Sequence, residues 1–293
     1  MSLSLTSSRR LRRRVQYSVS YFFLLLGLIW FAFPLVWMIL GSFKPFVDFA
    51  QLRMKLIPSS WHPENYAEAW TTVPFDLFFR NSFILAAINI LGRLVSCSLV
   101  GYGFARLRFW GRDAAFVVLL ATMMLPGWVT LIPLFMIFHA LGWINTWLPL
   151  TVPAFFGGGG SVFLMRQFFL TLPVELDEAA AIDGCSKLGI YWRILMPLCK
   201  PVLATIAIFT FLGVWNSFLI PLIYLHKQEL FTVAIGLAFM RSAIVETATG
   251  SALPVQALIM AAGVFTSAPG MIIFFLGQGY FVRGIALTGR TGM

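Results

Sequence analysis

Six apolar segments, each long enough to cross a lipid bilayer, constrain this chain more than any other feature. They lie near residues 21–40, 81–105, 114–138, 148–169, 202–225 and 257–281. About 20 helical residues span a hydrocarbon layer of about 30 Å, and backbone polar groups in lipid must be paired within the segment. The segments lack the alternation of polar and apolar residues that membrane barrel strands show. We therefore predict an all-α polytopic membrane protein with six transmembrane helices.

The composition agrees with this class and argues against nucleic-acid binding. Hydrophobic residues make up 59% of the chain and charged residues 11%, whereas soluble domains carry about 25% charged residues. The formal net charge is +10, but the basic residues form short clusters between apolar segments. That arrangement is typical of topology signals in membrane proteins. We predict contact with the lipid bilayer and no nucleic-acid partner.

The basic clusters also predict an orientation. Most lysines and arginines fall in segments that would share the side of the N-terminus, so both termini are predicted in the cytoplasm. We divide the chain into a basic cytoplasmic segment (1–20), a transmembrane domain (21–282) and a cytoplasmic tail (283–293). A secretory signal peptide also begins with basic residues, but the run near 21–40 is longer than an h-region and has no small-residue cleavage site.

The sequence gives little support to catalysis. The three histidines fall in segments between predicted spans, and the three cysteines show no metal-ligand spacing. No aspartate or glutamate lies within a predicted span, where ion-coupled carriers place one. The phosphate-binding pattern GxxxxGK[ST] is also missing from the chain. We predict no catalytic residues, no metal site and no cofactor bound by this chain.

The segment 171–201 is the polar interruption of this apolar chain, and it predicts two short helices. Thr171 and Pro173 are signals for the start of the first helix, and Gly184 is a signal for its end. Three carboxylates fall near its first turn, where the helix dipole favours anions. Ser186 is predicted to cap a second helix, which ends near Pro197 and Pro201 and carries four side chains on one face: Leu188, Tyr191, Trp192 and Leu195.

The same segment resembles the EAA loop of the membrane subunits of bacterial binding-protein-dependent ABC importers, written EAAxxDGx9IxLP. Met196 stands where the pattern has leucine, which is a mild apolar exchange. We call residues 171–201 the EAA loop. The residues that match the pattern are Glu178, Ala179, Ala180, Asp183, Gly184, Ile194 and Pro197.

Other stretches narrow the resemblance to carbohydrate importers. Trp215–Leu222 (WNSFLIPL) is similar to a WNxFLxPL segment of that group, and Gln278–Gly284 (QGYFVRG) is similar to a QRYFVRG ending, with Gly279 in place of arginine. Asn81–Ser82 and Tyr102–Arg106 also fit. The chain resembles the smaller, six-span permease of the maltose-type importers.

This resemblance implies partners and roles. The implied partners are a larger homologous permease, a cytoplasmic ATPase dimer that binds ATP and magnesium, and an extracytoplasmic solute-binding protein. The EAA loop would dock in a groove of the ATPase. From the residues themselves we predict that Glu178 and Asp183 either anchor this contact or cap and shape the loop, and that Gly184 provides the turn. The predicted function is that of an inner-membrane importer permease for sugars or oligosaccharides. The alternatives are an importer of another solute such as glycerol phosphate, and a standalone carrier or channel.

Three residues are candidates for the solute path. Trp215 and Asn216 lie inside the fifth predicted span, where they would contact sugar hydroxyls or bind a neighbouring helix. Arg93 lies near the middle of the second predicted span, with a role facing a cavity or a structural role. The four glycines 157–160 would either allow close helix packing or break the fourth span.

Overall fold

Helices form all the regular secondary structure in the part of the chain that the structure describes. The structure, a computed structural model, describes residues 4–50, 55–247 and 255–288, and no strand occurs among them. The prediction of an all-α chain is therefore confirmed. The predicted tail 283–293 lies partly outside the described residues, and the stretch 248–254 between the fifth and sixth predicted spans lies outside them. The side chains of the basic segment up to residue 14 are likewise outside the description.

The helices follow the predicted apolar segments with differences at their ends. The first part of the chain forms α1 (Ser4–Ser42), α2 (Phe46–Ala50), α3 (Glu64–Thr72), α4 (Phe75–Arg106), α5 (Arg112–Met123), α6 (Gly127–Ala140), α7 (Leu148–Thr151), a 3-10 turn (Val152–Phe156) and α8 (Gly159–Thr171).

The second part continues through the EAA loop to the C-terminal helix. It forms α9 (Glu175–Ile182), α10 (Lys187–Gly189), a π-helical segment (Ile190–Leu195), α11 (Met196–Leu198), α12 (Lys200–Trp215), α13 (Leu219–Tyr224), a 3-10 turn (Gln228–Leu230), α14 (Val233–Thr247) and α15 (Val255–Thr288).

Four stretches are long and apolar enough to cross a membrane: Val15–Ser42, Phe75–Arg106, Leu148–Thr171 and Val255–Gly279. Two further spans result if each of two bent helix pairs counts as one. The pair α5 and α6 bends by 99°, and the pair formed by Lys187–Leu198 and α12 bends by 77°. The described residues therefore hold four spans, or six with the bent pairs included.

The third predicted span is not one straight helix, because a proline interrupts it. Pro126 stands directly before α6 with ψ 131°, and proline disfavours the helical conformation in the residue that precedes it. α5 accordingly ends at Met123. Pro133 lies inside α6, where the helix continues past it.

The fifth predicted span, 202–225, is also interrupted. α12 ends at Trp215, where the Asn216 amide still donates to the Leu212 carbonyl at 3.1 Å, and α13 starts at Leu219. Pro221 has no N–H to donate to the carbonyl four residues earlier, which disfavours a continuous helix through residues 216–218. Pro221 is instead accommodated in the first turn of α13, where N–H groups need no helical partner.

The glycines of the fourth span serve both roles left open by the sequence. Gly157 has φ +70° and separates the 3-10 turn from α8, a conformation that residues with a side chain rarely adopt. A Cβ on Gly159 would lie 2.6 Å from Met123 Cγ. The segment is therefore a break in the span and a place of close packing.

The chain divides into two compact units, of which the first comprises residues 1–72 and 240–265. In this unit a Cβ on Gly263 would lie 2.9 Å from Met38 Sδ, so α1 and the start of α15 pack closely. The segment after α1 is organised by buried Asp48, which accepts hydrogen bonds from the Ser59 amide and hydroxyl at 2.8 and 2.7 Å. These bonds hold the pKa of Asp48 below its usual value.

The second unit comprises residues 73–239 and 266–293, and its centre is α4. A Cβ on Gly101 would lie 2.7 Å from Met165 Cβ and 3.2 Å from the Arg166 amide nitrogen, so α4 and α8 approach backbone to backbone. The buried cluster around this contact joins α4, α8, α12 and the EAA loop. Its members are Cys97, Tyr102, Val162, Met165, Phe169, Ala180, Ile190, Tyr191, Leu195, Cys199, Val202 and Ile206.

Candidate functional site

The first helix of the EAA loop, α9, ends in a glycine motif. Gly184 has φ +81°, its amide donates to the Ala181 carbonyl at 3.1 Å, and the Cys185 amide donates to the Ala180 carbonyl at 2.9 Å. This pair of bonds defines a Schellman motif, in which the residue of positive φ is most often glycine. The prediction that Gly184 ends this helix is confirmed.

The start of α9 differs from the sequence prediction. Glu175, Asp177 and Glu178 do lie in its first turn, as predicted. Thr171, however, is the last residue of α8, and its hydroxyl donates to the Phe168 carbonyl at 2.7 Å. The prediction that Thr171 starts α9 is wrong, because this hydroxyl binds the preceding helix and is not available as a cap.

The second helix of the EAA loop runs from Lys187 to Leu198. Its predicted cap is confirmed, since the Ser186 hydroxyl accepts a hydrogen bond from the Gly189 amide at 3.2 Å. The predicted single apolar face is wrong: Tyr191 and Leu195 are buried, whereas Leu188 and Trp192 are both 66% exposed. Residues four apart share a face, Tyr191 with Leu195 and Leu188 with Trp192, whereas residues three apart are separated. This pattern agrees with the wider turn of the π-helical segment.

The motif residues of the EAA loop divide into an exposed set and a buried set. Glu178, Ala179, Asp183 and Gly184 are exposed, and Ile182 between them is 87% exposed. Ala180 is buried. Further along, Ile194 is half-buried and Pro197 is exposed. The exposed carboxylates and apolar side chain form a surface of mixed chemistry that the described part of the chain does not cover.

An ion pair fastens α9 to the end of α4. Arg106 Nε lies 3.2 Å from Asp177 Oδ2, and the two side chains are 7% and 20% exposed. The same guanidinium donates to the Leu172 carbonyl at 2.8 Å. Burial raises the pKa of Asp177, and the charge of Arg106 opposes this rise. The carboxylate is thus held by Arg106 in a place that water only partly reaches.

Two hydrogen bonds fasten the second helix of the EAA loop to the same face of α4. The Tyr102 hydroxyl donates to the Lys187 carbonyl at 3.0 Å, and the Ser98 and Tyr191 hydroxyls are 2.8 Å apart. Ser98, Tyr102 and Arg106 follow one another at four-residue spacing and therefore share one helix face. This polar stripe on an apolar span could have predicted that α4 binds the EAA loop. We did not predict that contact from the sequence.

An apolar cavity of about 870 Å³ lies beside this connection. Its wall is formed by α4, by the turn after α9 and by the second helix of the EAA loop. The lining residues include Leu94, Leu99, Cys185, Leu188, Trp192 and Leu203.

Arg93 lies on α4 before the polar stripe and lines a smaller cavity. The cavity measures about 220 Å³ and is lined by α4, by residues 149–154 and by the interrupted segment 213–221. The guanidinium lies against Gly158, where a Cβ would overlap Nη1. Arg93 is half-buried. The structure thus places Arg93 beside the breaks of the fourth and fifth spans.

The other two solute-path candidates lie in different surroundings. Trp215 is buried, its indole N–H donates to the Thr266 carbonyl at 2.9 Å, and its ring stacks on Phe211 at 5.3 Å. Asn216 is exposed and donates to the Leu212 carbonyl at 2.9 Å. Trp215 and Asn216 are not among the lining residues of the Arg93 cavity in the described chain. Their part in solute contact stays a prediction.

Asn81 and Ser82, at the start of the second span, bind residues 229–233 between the fifth and sixth predicted spans. The Asn81 amide donates to the carbonyls of Glu229 and Phe231 at 2.8 and 3.0 Å, and the Ser82 hydroxyl accepts from the Val233 amide at 2.8 Å. Asn81 and Ser82 therefore hold the backbone of residues 229–233 against the start of α4.

A family model for the inner membrane component of binding-protein-dependent transport systems matches residues 97–287. The matched region includes the whole EAA loop, the Tyr102–Arg106 motif and the interrupted fifth span.

Curated relatives cover nearly the whole chain. One is a probable ABC transporter permease protein, YurM of Bacillus subtilis, 37% identical over 90% of this chain and 85% of its own length. A second is the arabinooligosaccharides transport system permease protein AraQ of the same species, 34% identical over 96% and 100%. A third is the sn-glycerol-3-phosphate transport system permease protein UgpE of Yersinia enterocolitica, 31% identical over 89% and 93%.

A solved structure supports the fold. A chain of a bacterial ABC transporter involved in the import of the acidic polysaccharide alginate aligns with a TM-score of 0.82. The alignment covers 92% of this chain and 97% of that chain, at 21% sequence identity. At this identity the similarity concerns the fold alone.

Proposed function

Because this chain belongs to the family of binding-protein-dependent transport system inner membrane components, we propose that it carries a sugar or oligosaccharide across the membrane for an ATP-driven importer. Its family and its relatives are transport proteins, and its apolar helices make it a multi-pass protein of the inner membrane. The solute class is supported by the relative named for arabinooligosaccharides. The relative named for glycerol 3-phosphate favours a second candidate solute, a polyol phosphate.

In this proposal, ATP and magnesium are bound by a partner ATPase dimer, and the EAA loop is its docking surface. The observation that carries the proposal is the exposed turn formed by Glu178, Ala179, Ile182, Asp183 and Gly184. The carboxylates can pair with basic groups of a partner, and Ile182 can enter an apolar pocket. The glycine lets the partner backbone approach closely.

The rest of the EAA motif holds this surface in place. Ala180 is buried in the core cluster, and half-buried Ile194 packs against that cluster. Pro197 lies in the short helix α11, directly before the 77° bend into α12. A displacement of the docked turn would therefore reach α12 directly and α4 through Arg106 and Tyr102.

Such a connection meets the thermodynamic condition for energy transfer. A partner can shift the equilibrium between inward and outward conformations only through contacts whose free energy differs between the two. A rigid connection from the docked turn to α4 makes the position of this span depend on the state of the ATPase. Arg93, on the same helix, is then moved relative to the interrupted fourth and fifth spans.

The remaining partners and the orientation complete the proposal. The EAA loop and both termini would face the cytoplasm, while a homologous second permease would complete the path within the bilayer. A solute-binding protein would deliver the solute from outside, in agreement with the family description. The apolar side chains exposed along α1 suit contact with lipid or with the second permease.

Co-purification tests this proposal against a standalone carrier or channel. We expect the tagged full-length chain, extracted from its own membranes in mild detergent, to bring a second permease and an ATPase, and the complex to hydrolyse ATP. The complex in liposomes should take up solute only with ATP and the binding protein. A chain that purifies alone and transports without ATP would contradict the proposal.

A further inference from the structure

The guanidinium of Arg93 lacks a counter-ion in the described chain. Among residues 4–50, 55–247 and 255–288 it has no ion pair and no hydrogen bond from its side chain. The sequence holds no aspartate or glutamate between residues 77 and 112. A partly buried cation without an anion is costly, so an anion from outside this chain would find a favourable place here.

A second polar group in the same cavity is also without a partner. The Thr232 side chain is 2% exposed, and its hydroxyl oxygen has no hydrogen-bond partner in the described part of the chain. Buried polar atoms in folded proteins are nearly always paired. Thr232, Arg93 and buried Asn89 line one cavity, so a guanidinium and an unpaired hydroxyl are available to a single ligand.

The chemistry and the volume of this cavity define the ligand. A guanidinium donates in a fork that matches the oxygens of a carboxylate or a phosphate, and a hydroxyl can add a further donor. A volume of about 220 Å³ is below the range of roughly 300–1,000 Å³ typical of pockets that enclose a whole small molecule. The cavity therefore suits one charged group of a larger solute.

We propose that the cavity lined by Arg93 and Thr232 binds an anionic group of the transported solute, a carboxylate or a phosphate ester. The substrate class is then an acidic sugar or a sugar or polyol phosphate. This inference rests on the proposed transport function and adds the charge of the solute to it.

Gly158 gives this inference a test that keeps the charge. A Cβ at this position would overlap Nη1 of Arg93, the mobile end of a long side chain. Its φ of −92° and ψ of 134° are accessible to alanine. Gly158→Ala therefore displaces the guanidinium while the fold is kept. Gly160→Ala is the matched control, because its Cβ would lie at an ordinary 3.7 Å from Met123 Cε.

The experiment measures binding to the purified full-length chain in nanodiscs by isothermal titration calorimetry, without ATP. The probes are glucuronate and glycerol 3-phosphate, with glucose and glycerol as neutral counterparts and sodium chloride at equal ionic strength. We expect at least one anionic probe to bind and neither neutral probe to do so. Arg93→Gln and Gly158→Ala should each weaken this binding at least about tenfold, as expected for loss of a charged hydrogen bond. Gly160→Ala should bind as the unchanged chain does.

The outcomes separate this inference from the proposed function. Binding of glucuronate alone would assign a carboxylate, and binding of glycerol 3-phosphate alone would assign a phosphate. If Gly158→Ala and Arg93→Gln bound the anion as tightly as the unchanged chain does, the inference would be overturned. Heat from sodium chloride that equals the heat from the probes would overturn it too. Failure of both anions to bind a chain that co-purifies with an ATPase would overturn the inference alone. Anion binding by a chain that has no ATPase partner would contradict the proposed function alone.

Discussion

Replacing Arg106 with leucine should reduce ATP-driven uptake about tenfold, while the chain still inserts and still binds its ATPase. The substitution removes the ion pair with Asp177 and the bond to the Leu172 carbonyl, which join the EAA loop to α4. A buried partner left unsatisfied costs roughly 1–3 kcal/mol, and about 1.4 kcal/mol is a factor of ten. The measurement compares solute uptake with ATP hydrolysis in liposomes.

A surface ion pair supplies the matched control for this prediction. Arg112 Nε lies 2.9 Å from Asp113 Oδ1, with the aspartate side chain 80% exposed, and exposed pairs contribute at most about 1 kcal/mol. Arg112→Leu should leave uptake unchanged. The exchange of charges in the double variant Arg106→Asp with Asp177→Arg should restore part of the uptake. Uptake by Arg106→Leu equal to that of Arg112→Leu would show that the ion pair does not transmit movement.

Gly101→Ala should destabilise the chain by roughly 1–3 kcal/mol, the usual effect of overpacking. A Cβ at this position would lie 2.7 Å from Met165 Cβ and 3.2 Å from the Arg166 amide nitrogen. The latter atom belongs to the backbone of α8, so α4 and α8 must separate to accept it. Thermal unfolding of the purified chain in detergent measures the difference.

Gly103→Ala is the control on the same helix, since a Cβ there would have no atom within 4 Å. Alanine is favoured over glycine within a helix by about 1 kcal/mol, so this variant should be as stable as the unchanged chain or more stable. Equal unfolding temperatures for the two variants would contradict the close approach of α4 and α8.

The sequence predicted those features of the structure that depend on residues close to one another in the chain. Apolar runs predicted the helices, Gly184 predicted the end of α9, and Ser186 predicted the cap of the second helix. Each of these signals acts within a few residues of its own position. The mixed exposure of Leu188 and Tyr191 was not predictable in this way, because Tyr191 is buried by contacts with Ser98 and Tyr102, which are distant in sequence.

The connection between the EAA loop and α4, by contrast, depends on residues that are distant in sequence. Arg106 and Asp177 are far apart in sequence, and a search for acids within spans could not pair them. The choice of polar anchors shows the same limit. Glu178 and Asp183 were singled out from the motif, whereas the structure pairs half-buried Asp177 with Arg106 and leaves those two exposed. The position of Arg93 against Gly158 depends likewise on two spans that the sequence cannot place side by side.

Cysteine cross-linking from the exposed turn of the EAA loop tests the central claim most directly. Ile182 is 87% exposed, and Trp110, in the loop between α4 and α5, is 99% exposed. In a Cys185→Ser background the other two cysteines, Cys97 and Cys199, are buried. Ile182→Cys in membranes that hold the complete importer should form a cross-link to the ATPase with a short bifunctional maleimide, whereas Trp110→Cys should not. A cross-link from Trp110→Cys with none from Ile182→Cys would contradict docking of the ATPase on the EAA loop.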